Sequence, residues 1–174
     1  LFNRAFYHRH LRRERAGLVH YDPYFYPLDA IHRWNRIYGR KGFLQYQVVV
    51  PYRDGEAIMA DLLSRIAARG IPSLLTVLKS FGPQSEGLLS FPAAGYTLAL
   101  DIPLSDRSLI PFLRELNKTV VQAQGRVYLA KDAILESEDF AAMYPHLDQF
   151  KAVKRKYDPQ HRFRSRLSDR LGIT

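Results

Sequence analysis

Lysines and glutamines, rather than cysteines, histidines or serines, are the side chains of this sequence best placed for chemistry. Gln45 and Gln47 sit within FLQYQVVV, Lys79 lies near the end of SLLTVLKSF, and Lys131 closes RVYLAK. In extended segments alternate side chains share a face. Gln45 and Gln47 therefore group with Leu75, Val77 and Lys79, with Thr97, Ala99 and Asp101, and with Tyr128, while Lys131 falls just past a strand end. A few polar groups set among apolar ones are what a ligand pocket or a domain interface needs, because the apolar part buries the ligand and the polar groups orient it. The bland alternative is a solvent-facing sheet surface. Lys79 and Lys131 could form Schiff bases, but with no phosphate-binding glycine loop nearby their expected work is charge stabilisation.

Other chemistries are excluded or poorly supported. There is no cysteine, so disulfides, thiolate metal sites and cysteine nucleophiles are ruled out. Dinucleotide, phosphate-loop and serine-elbow motifs are missing, and GPQSEG at 82–87 has the wrong spacing for a nucleophile elbow. His8 and His10 form an HxH pair without neighbouring carboxylates, and His20, His32, His146 and His161 are scattered, so no metal site is expected. No run of about 18 apolar residues could span a bilayer.

Hydrophobic periodicity supplies the elements that would carry the face. Strands are read at 43–50, 73–81, 96–104 and 126–131. Ile58, Leu62 and Ile66 mark a helix over 54–69 stopped by Gly70; Leu109, Leu113, Leu116 and Val120 mark another over 106–124, capped by Ser105 or Asp106 and ended by Gly125. Residues 82–95 read as a loop. The order βαββαβ is that of a ferredoxin-like α+β layer with both helices on one sheet face. Leu44, Tyr46, Val48, Val50, Leu74, Thr76, Leu78, Tyr96, Leu98, Leu100, Val127 and Leu129 form its expected floor. Outside this core, 1–16 reads as a basic helix, 21–26 as extended, 30–38 as a short helix around Trp34, and 137 onward as helical and basic, with a segment at 146–157.

The net charge of +9 is not evenly spread. Residues 1–16 carry +4 and residues 151–174 carry +6, leaving the middle close to neutral. Basic ends on a neutral core argue against a nucleic-acid-reading sheet, as does the lack of RNP-type stacking aromatics, and they suit contact with lipid head groups or another domain. The chain opens on Leu1 and shows no signal-peptide pattern, so it is expected to be processed or to be a piece of something longer.

Longer stretches carry a resemblance. FYPLDAIHRWNRIYGRKGFLQYQVVVP (25–51), VLKSFGP (77–83), LSFPAAGYTLALDIPL (89–104), VYLAKD (127–132), MYP (143–145) and KYDPQHRF (156–163) resemble the C-terminal part of the decaprenylphosphoryl-ribose oxidase family. These are FAD-linked flavoproteins of the vanillyl-alcohol oxidase type. The likeness runs from about residue 20 to the end, and the DPxxxF ending is shared more widely among FAD-linked oxidases.

The resemblance implies that 1–174 is a single substrate-binding domain whose sheet roofs a flavin held by an N-terminal FAD-binding domain that is missing here. Lys131 then matches the catalytic lysine against flavin and substrate, with Tyr128 beside it at the cofactor. Gln45, Gln47, Lys79, Leu75, Val77, Phe81, Thr97, Ala99 and Phe25 match substrate-pocket positions. Thr97, Ala99 and Phe25 depart from the family's asparagine, cysteine and gating tyrosine, so thiol-directed inhibitors should not capture this pocket. The implied substrate is a polyprenyl-phosphoryl sugar, oxidised at a secondary alcohol of ribose and then handed to an NADH-dependent keto-sugar reductase. The implied setting is soluble or peripheral to a membrane, in the bacterial cell envelope or cytoplasm. An FAD-linked sugar, alditol or aldonolactone oxidase is the alternative, and a stand-alone binding module a more distant one. By itself the fragment is expected to be inactive.

Overall fold

The computed structural model describes residues 4, 5, 7, 8, 11, 17–26, 29–73, 75–104, 106 and 108–173. The chain divides into two compact units, Leu1–Gly42 and Phe43–Thr174. The basic helix expected over 1–16 and His10 of the HxH pair lie largely outside the described residues.

In the first unit the expected extended segment at 21–26 is instead a short helix, α1 (Tyr21–Phe25). His20 Nδ1 accepts the Asp22 N–H at 3.3 Å, and Pro23 sits in the first turn, where its missing N–H costs nothing. The short helix expected around Trp34 is a 3-10 turn, Trp34–Tyr38.

The second unit is built as β1 (Phe43–Pro51), α2 (Gly55–Ala68), β2 (Thr76–Phe81), β3 (Gly95–Pro103), α3 (Leu109–Gln122) and β4 (Arg126–Val127). Three helices follow: α4 (Ser137–Met143), α5 (Leu147–Tyr157) and α6 (Arg166–Arg170). The strands form one antiparallel sheet in the order β2-β3-β1-β4, so the ferredoxin-like βαββαβ reading holds. Met59, Leu62 and Ile66 of α2 and Leu109, Leu113, Leu116 and Val120 of α3 pack on Leu44, Tyr46, Val48, Val50, Leu98 and Leu100. Gly70 (φ +68°) ends α2: its N–H returns to the Ala67 carbonyl and that of Ile71 to Ile66.

Four local readings need correction. Strand β2 begins at Thr76 rather than 73. Thr76 and Leu78, read as floor for the helices, are exposed because β2 is an edge strand, and the central pair β1 and β3 takes the helix cover; Leu74 of the same floor lies outside the described residues. The cap of α3 is Ser108; Asp106 instead accepts the Ser108 N–H at 3.0 Å, and Ser105 lies outside the described residues. The fourth strand stops after Val127, and Leu129–Lys131 form a 3-10 turn. Asp132 explains that stop. Its Oδ1 accepts the N–H groups of both Ile134 and Leu135 at 2.8 Å, a local bond that competes with continuing the ladder.

Candidate functional site

Strand register sorts the second sheet face into rows. The first row is Val49, Thr97 and Lys79, with Arg126 opposite Val49 on the β4 side. The next is Gln47, Ala99 and Val77, extended by Tyr128, whose N–H donates to the Gln47 carbonyl at 2.9 Å. The last pairs Gln45 with Asp101, and the Asp101 N–H donates to the Leu75 carbonyl at 3.1 Å. Phe81 lies two residues beyond Lys79 on the same face, opposite Gly95. The structure therefore brings Gln45, Gln47, Leu75, Val77, Lys79, Phe81, Thr97, Ala99 and Tyr128 together. Phe25 belongs to the first unit, where it is exposed and meets Tyr24 edge-on at 5.0 Å.

Lys131 lies on the turn that follows β4. It is half-buried and lines a cleft of about 480 Å³ with Phe43, Gln45, Leu104, Ile110 and Ile134. Lys79, by contrast, is exposed on the edge strand. Neither lysine has an ion-pair partner among the described residues. Lys79 is on the edge strand β2 and Lys131 on the turn after β4, so about three strand spacings, on the order of 14 Å, separate their positions along the sheet. They mark opposite edges of the face.

The polar groups between them are already oriented. Gln45 donates from Nε2 to Asp101 Oδ1 at 2.9 Å, and Gln47 donates from Nε2 to Thr97 Oγ1 at 3.1 Å. A carboxylate accepts only, so Asp101 fixes which end of the Gln45 amide turns toward it and leaves the carbonyl oxygen for the cleft. Thr97 is fully buried and Gln47 only 6% exposed, so Thr97 can influence a bound molecule only through Gln47. Val77 and Ala99 are half-buried and offer a small, apolar centre.

One end of the face is roofed by the 82–94 loop. Phe91 stacks on Tyr128 with centroids 4.6 Å apart and meets Phe81 edge-on at 5.8 Å. Arg126 donates to the Ser90 carbonyl and to Gln84 Oε1, each at 2.7 Å, and its guanidinium lies 5.7 Å from the Tyr144 ring centre. Tyr144 in turn donates its hydroxyl to the Val127 carbonyl at 2.7 Å, and burial pushes that phenol well above its ordinary range.

Sequence reasoning passes over three groups that hold the site. Asp101 is 3% exposed, and alternation puts it on the face without giving it a role. The Asp132 side chain is fully enclosed, and its only signal is its place in LAKD. Arg170 donates from Nη2 to Asp132 Oδ2 at 2.7 Å, yet in the sequence it is one cation in a basic tail. The DPxxxF ending has a structural explanation. Asp158 accepts Lys154 Nζ at 2.6 Å and the N–H groups of Arg162 and Phe163 at 2.7 and 3.1 Å, and these bonds, led by that from Lys154, hold its carboxyl down to about 2.

Comparison with known proteins bears out the resemblance. Residues 102–171 match the family model for D-arabinono-1,4-lactone oxidase. The chain is 40% identical over 150 residues to the decaprenylphosphoryl-beta-D-ribose oxidase of Mycolicibacterium smegmatis, covering 86% of this chain and 32% of that protein. It is also 37% identical over 167 residues to an uncharacterised protein in the mprA 5′ region of Streptomyces coelicolor, covering 95% of this chain and 44% of that one. The chain thus spans less than half the length of either relative. Among the described residues, no helix is long and apolar enough to cross a membrane.

Proposed function

We propose that this chain is the substrate-covering part of an FAD-dependent oxidase that acts on a secondary alcohol of a sugar. The observation that carries this reading is the pairing of a half-buried lysine lacking an ion-pair partner among the described residues, Lys131, with the oriented Gln45 in one cleft. The donor set fits the edge of a planar, apolar ring that gains negative charge: Val77 and Ala99 are small and apolar, Tyr128 is aromatic, and Lys131 is cationic. The chain offers no glycine-rich phosphate loop, so the nucleotide half of FAD has to be held by an FAD-binding domain elsewhere in the polypeptide.

When bound, FAD supplies the two-electron acceptor for the hydride leaving the alcohol carbon. Lys131 contributes a fixed positive charge where negative charge grows, which favours the transition state over the ground state. The carbonyl oxygen of Gln45 accepts from a sugar hydroxyl and orients the carbon that loses hydride. Gln47, held by Thr97, offers a second acceptor deeper in the face. Lys79, exposed at the far edge of the sheet, attracts an anionic group away from the reacting carbon. That arrangement suits a substrate with a reacting sugar at one end and a phosphate at the other, and the identity with the mycobacterial enzyme supports a polyprenyl-phosphoryl ribose. On this reading an NADH-dependent reductase consumes the keto sugar, and the basic tail faces a lipid surface.

The match at 102–171 favours a second reading, an aldonolactone oxidase acting on a small soluble substrate. The complete polypeptide containing this segment, mixed anaerobically with a short-chain prenyl-phosphoryl ribose, separates the two. Bleaching of the flavin band that is lost in Lys131→Ala supports the first reading. Bleaching by D-arabinono-1,4-lactone but not by the prenyl-phosphoryl sugar selects the second, and a purified polypeptide with no flavin band refutes both.

A further inference from the structure

Lys131 is followed directly by an aspartate, and this is an electrostatic problem for the role assigned to it. A carboxylate beside an ammonium attracts it, spends its charge on a local pair and draws it away from a ligand. Both residues line the same cleft. Yet Lys131 has no ion-pair partner among the described residues, so something else occupies Asp132.

The occupant is visible. The Asp132 side chain is fully enclosed, and its oxygens are divided between two tasks. Oδ1 accepts the N–H groups of Ile134 and Leu135 at 2.8 Å, which turns the chain immediately after the 3-10 helix. Oδ2 accepts Arg170 Nη2 at 2.7 Å, and Arg170 also donates from Nη1 to the Leu135 carbonyl. The guanidinium therefore grips both ends of the turn, neutralises the carboxylate and does so from α6, 38 residues away. Neighbouring charges are consumed in the same way. Arg114 pairs with Glu136 at 3.3 Å, and Asp101 accepts Gln45 at 2.9 Å. The Asp132–Arg170 pair is the one that bears directly on Lys131.

We infer that Arg170 is a positioning residue for Lys131: by taking up the buried carboxylate of Asp132 it fixes the lysine's turn and keeps the ammonium available to the cleft. The inference rests on Lys131 being the working cation of this face. Its readout is neither turnover nor flavin bleaching, so failure of that functional reading and failure of this inference are separable.

The test is the rate at which Lys131 Nζ is acylated by an N-hydroxysuccinimide ester of acetate. The rate is read by peptide mass spectrometry at fixed mildly alkaline pH in the full polypeptide, with Lys79 and Lys156 as internal references. Only the neutral amine reacts. In Arg170→Gln the freed carboxylate holds the ammonium protonated, and the neutral fraction, with it the Lys131 rate, falls by about tenfold. In Asp132→Asn the unpaired guanidinium acts in the opposite sense, and the rate rises above wild type. The double variant Asp132→Asn/Arg170→Gln carries neither charge and returns to within about a factor of two of wild type, an order that simple loosening of the turn cannot produce. Equal rates in wild type and a folded Arg170→Gln overturn the inference. If Arg170→Gln does not fold, Asp132→Asn decides alone: a rate at or below wild type overturns it.

Discussion

Replacing Thr97 by valine removes one hydroxyl from a fully buried position and changes the side-chain shape very little. In the native structure that hydroxyl accepts Gln47 Nε2 at 3.1 Å, and Gln47 is only 6% exposed. Water cannot reach the amide easily, so the lost bond leaves a buried donor unsatisfied, at a cost of about 1–3 kcal/mol. Exchanging a buried hydroxyl for a methyl group recovers part of this, on the order of 1 kcal/mol. The net loss is about 0–2 kcal/mol. For a chain of 174 residues that lowers the melting temperature by up to roughly 8 °C. The assay is thermal unfolding of Thr97→Val, Gln47→Met and the double variant. Because both residues serve one bond, the second substitution should cost less than it does alone, with a coupling of about 1 kcal/mol. Strict additivity of the two substitutions refutes the claim that Thr97 works by holding Gln47.

Two more perturbations read other parts of the frame. The carboxyl of Asp158 is held down to about 2, first by Lys154, so its contribution is complete above the ordinary carboxylate range and is lost as pH falls from about 4 toward 2; acid unfolding of Asp158→Asn, compared with wild type, should show a flatter pH dependence across that window. Gly95 lies at the start of β3, where an added Cβ would stand 2.0 Å from the Val50 carbonyl oxygen, so Gly95→Ala must push β1 and β3 apart. A loss of at least ~2 kcal/mol in denaturant unfolding is expected, and an unchanged midpoint would refute the close approach.

How much of this can be read from the sequence depends on whether the signal is periodic. The helices α2 and α3 and the strands β1 and β3 announce themselves because their apolar spacing matches the face they bury, and the sheet face carrying Gln45, Gln47, Thr97 and Ala99 follows from alternation alone. Alternation misleads at RVYLAK. The pattern continues past Val127, but the carboxylate of Asp132 offers the backbone a better local bond and the strand gives way to a turn. It misleads again at Leu78, since an apolar residue on the correct face stays exposed when its strand is at the edge. Pro23 reads as a sign of extended chain, whereas in a first helical turn it is well tolerated. The partners that orient the candidate site are the least legible. Asp101 with Gln45, and Arg170 with Asp132, are joined across 56 and 38 residues, and no local spacing announces such pairs.

The brevity of β4 has a dynamic consequence. A strand of two paired residues contributes little cooperative ladder, so Tyr128 and the lysine turn are held by one further backbone bond to Gln47 and by side chains: Phe91 on the Tyr128 ring, Tyr144 on the Val127 carbonyl, Arg126 across to the 82–94 loop and Arg170 on Asp132. Such an attachment can detach as a unit while β1 and β3 stay folded. Opening of the lysine turn then requires release of Arg170 from Asp132 rather than loss of the sheet, and its amides would exchange with solvent by sub-global opening before those of the central strands.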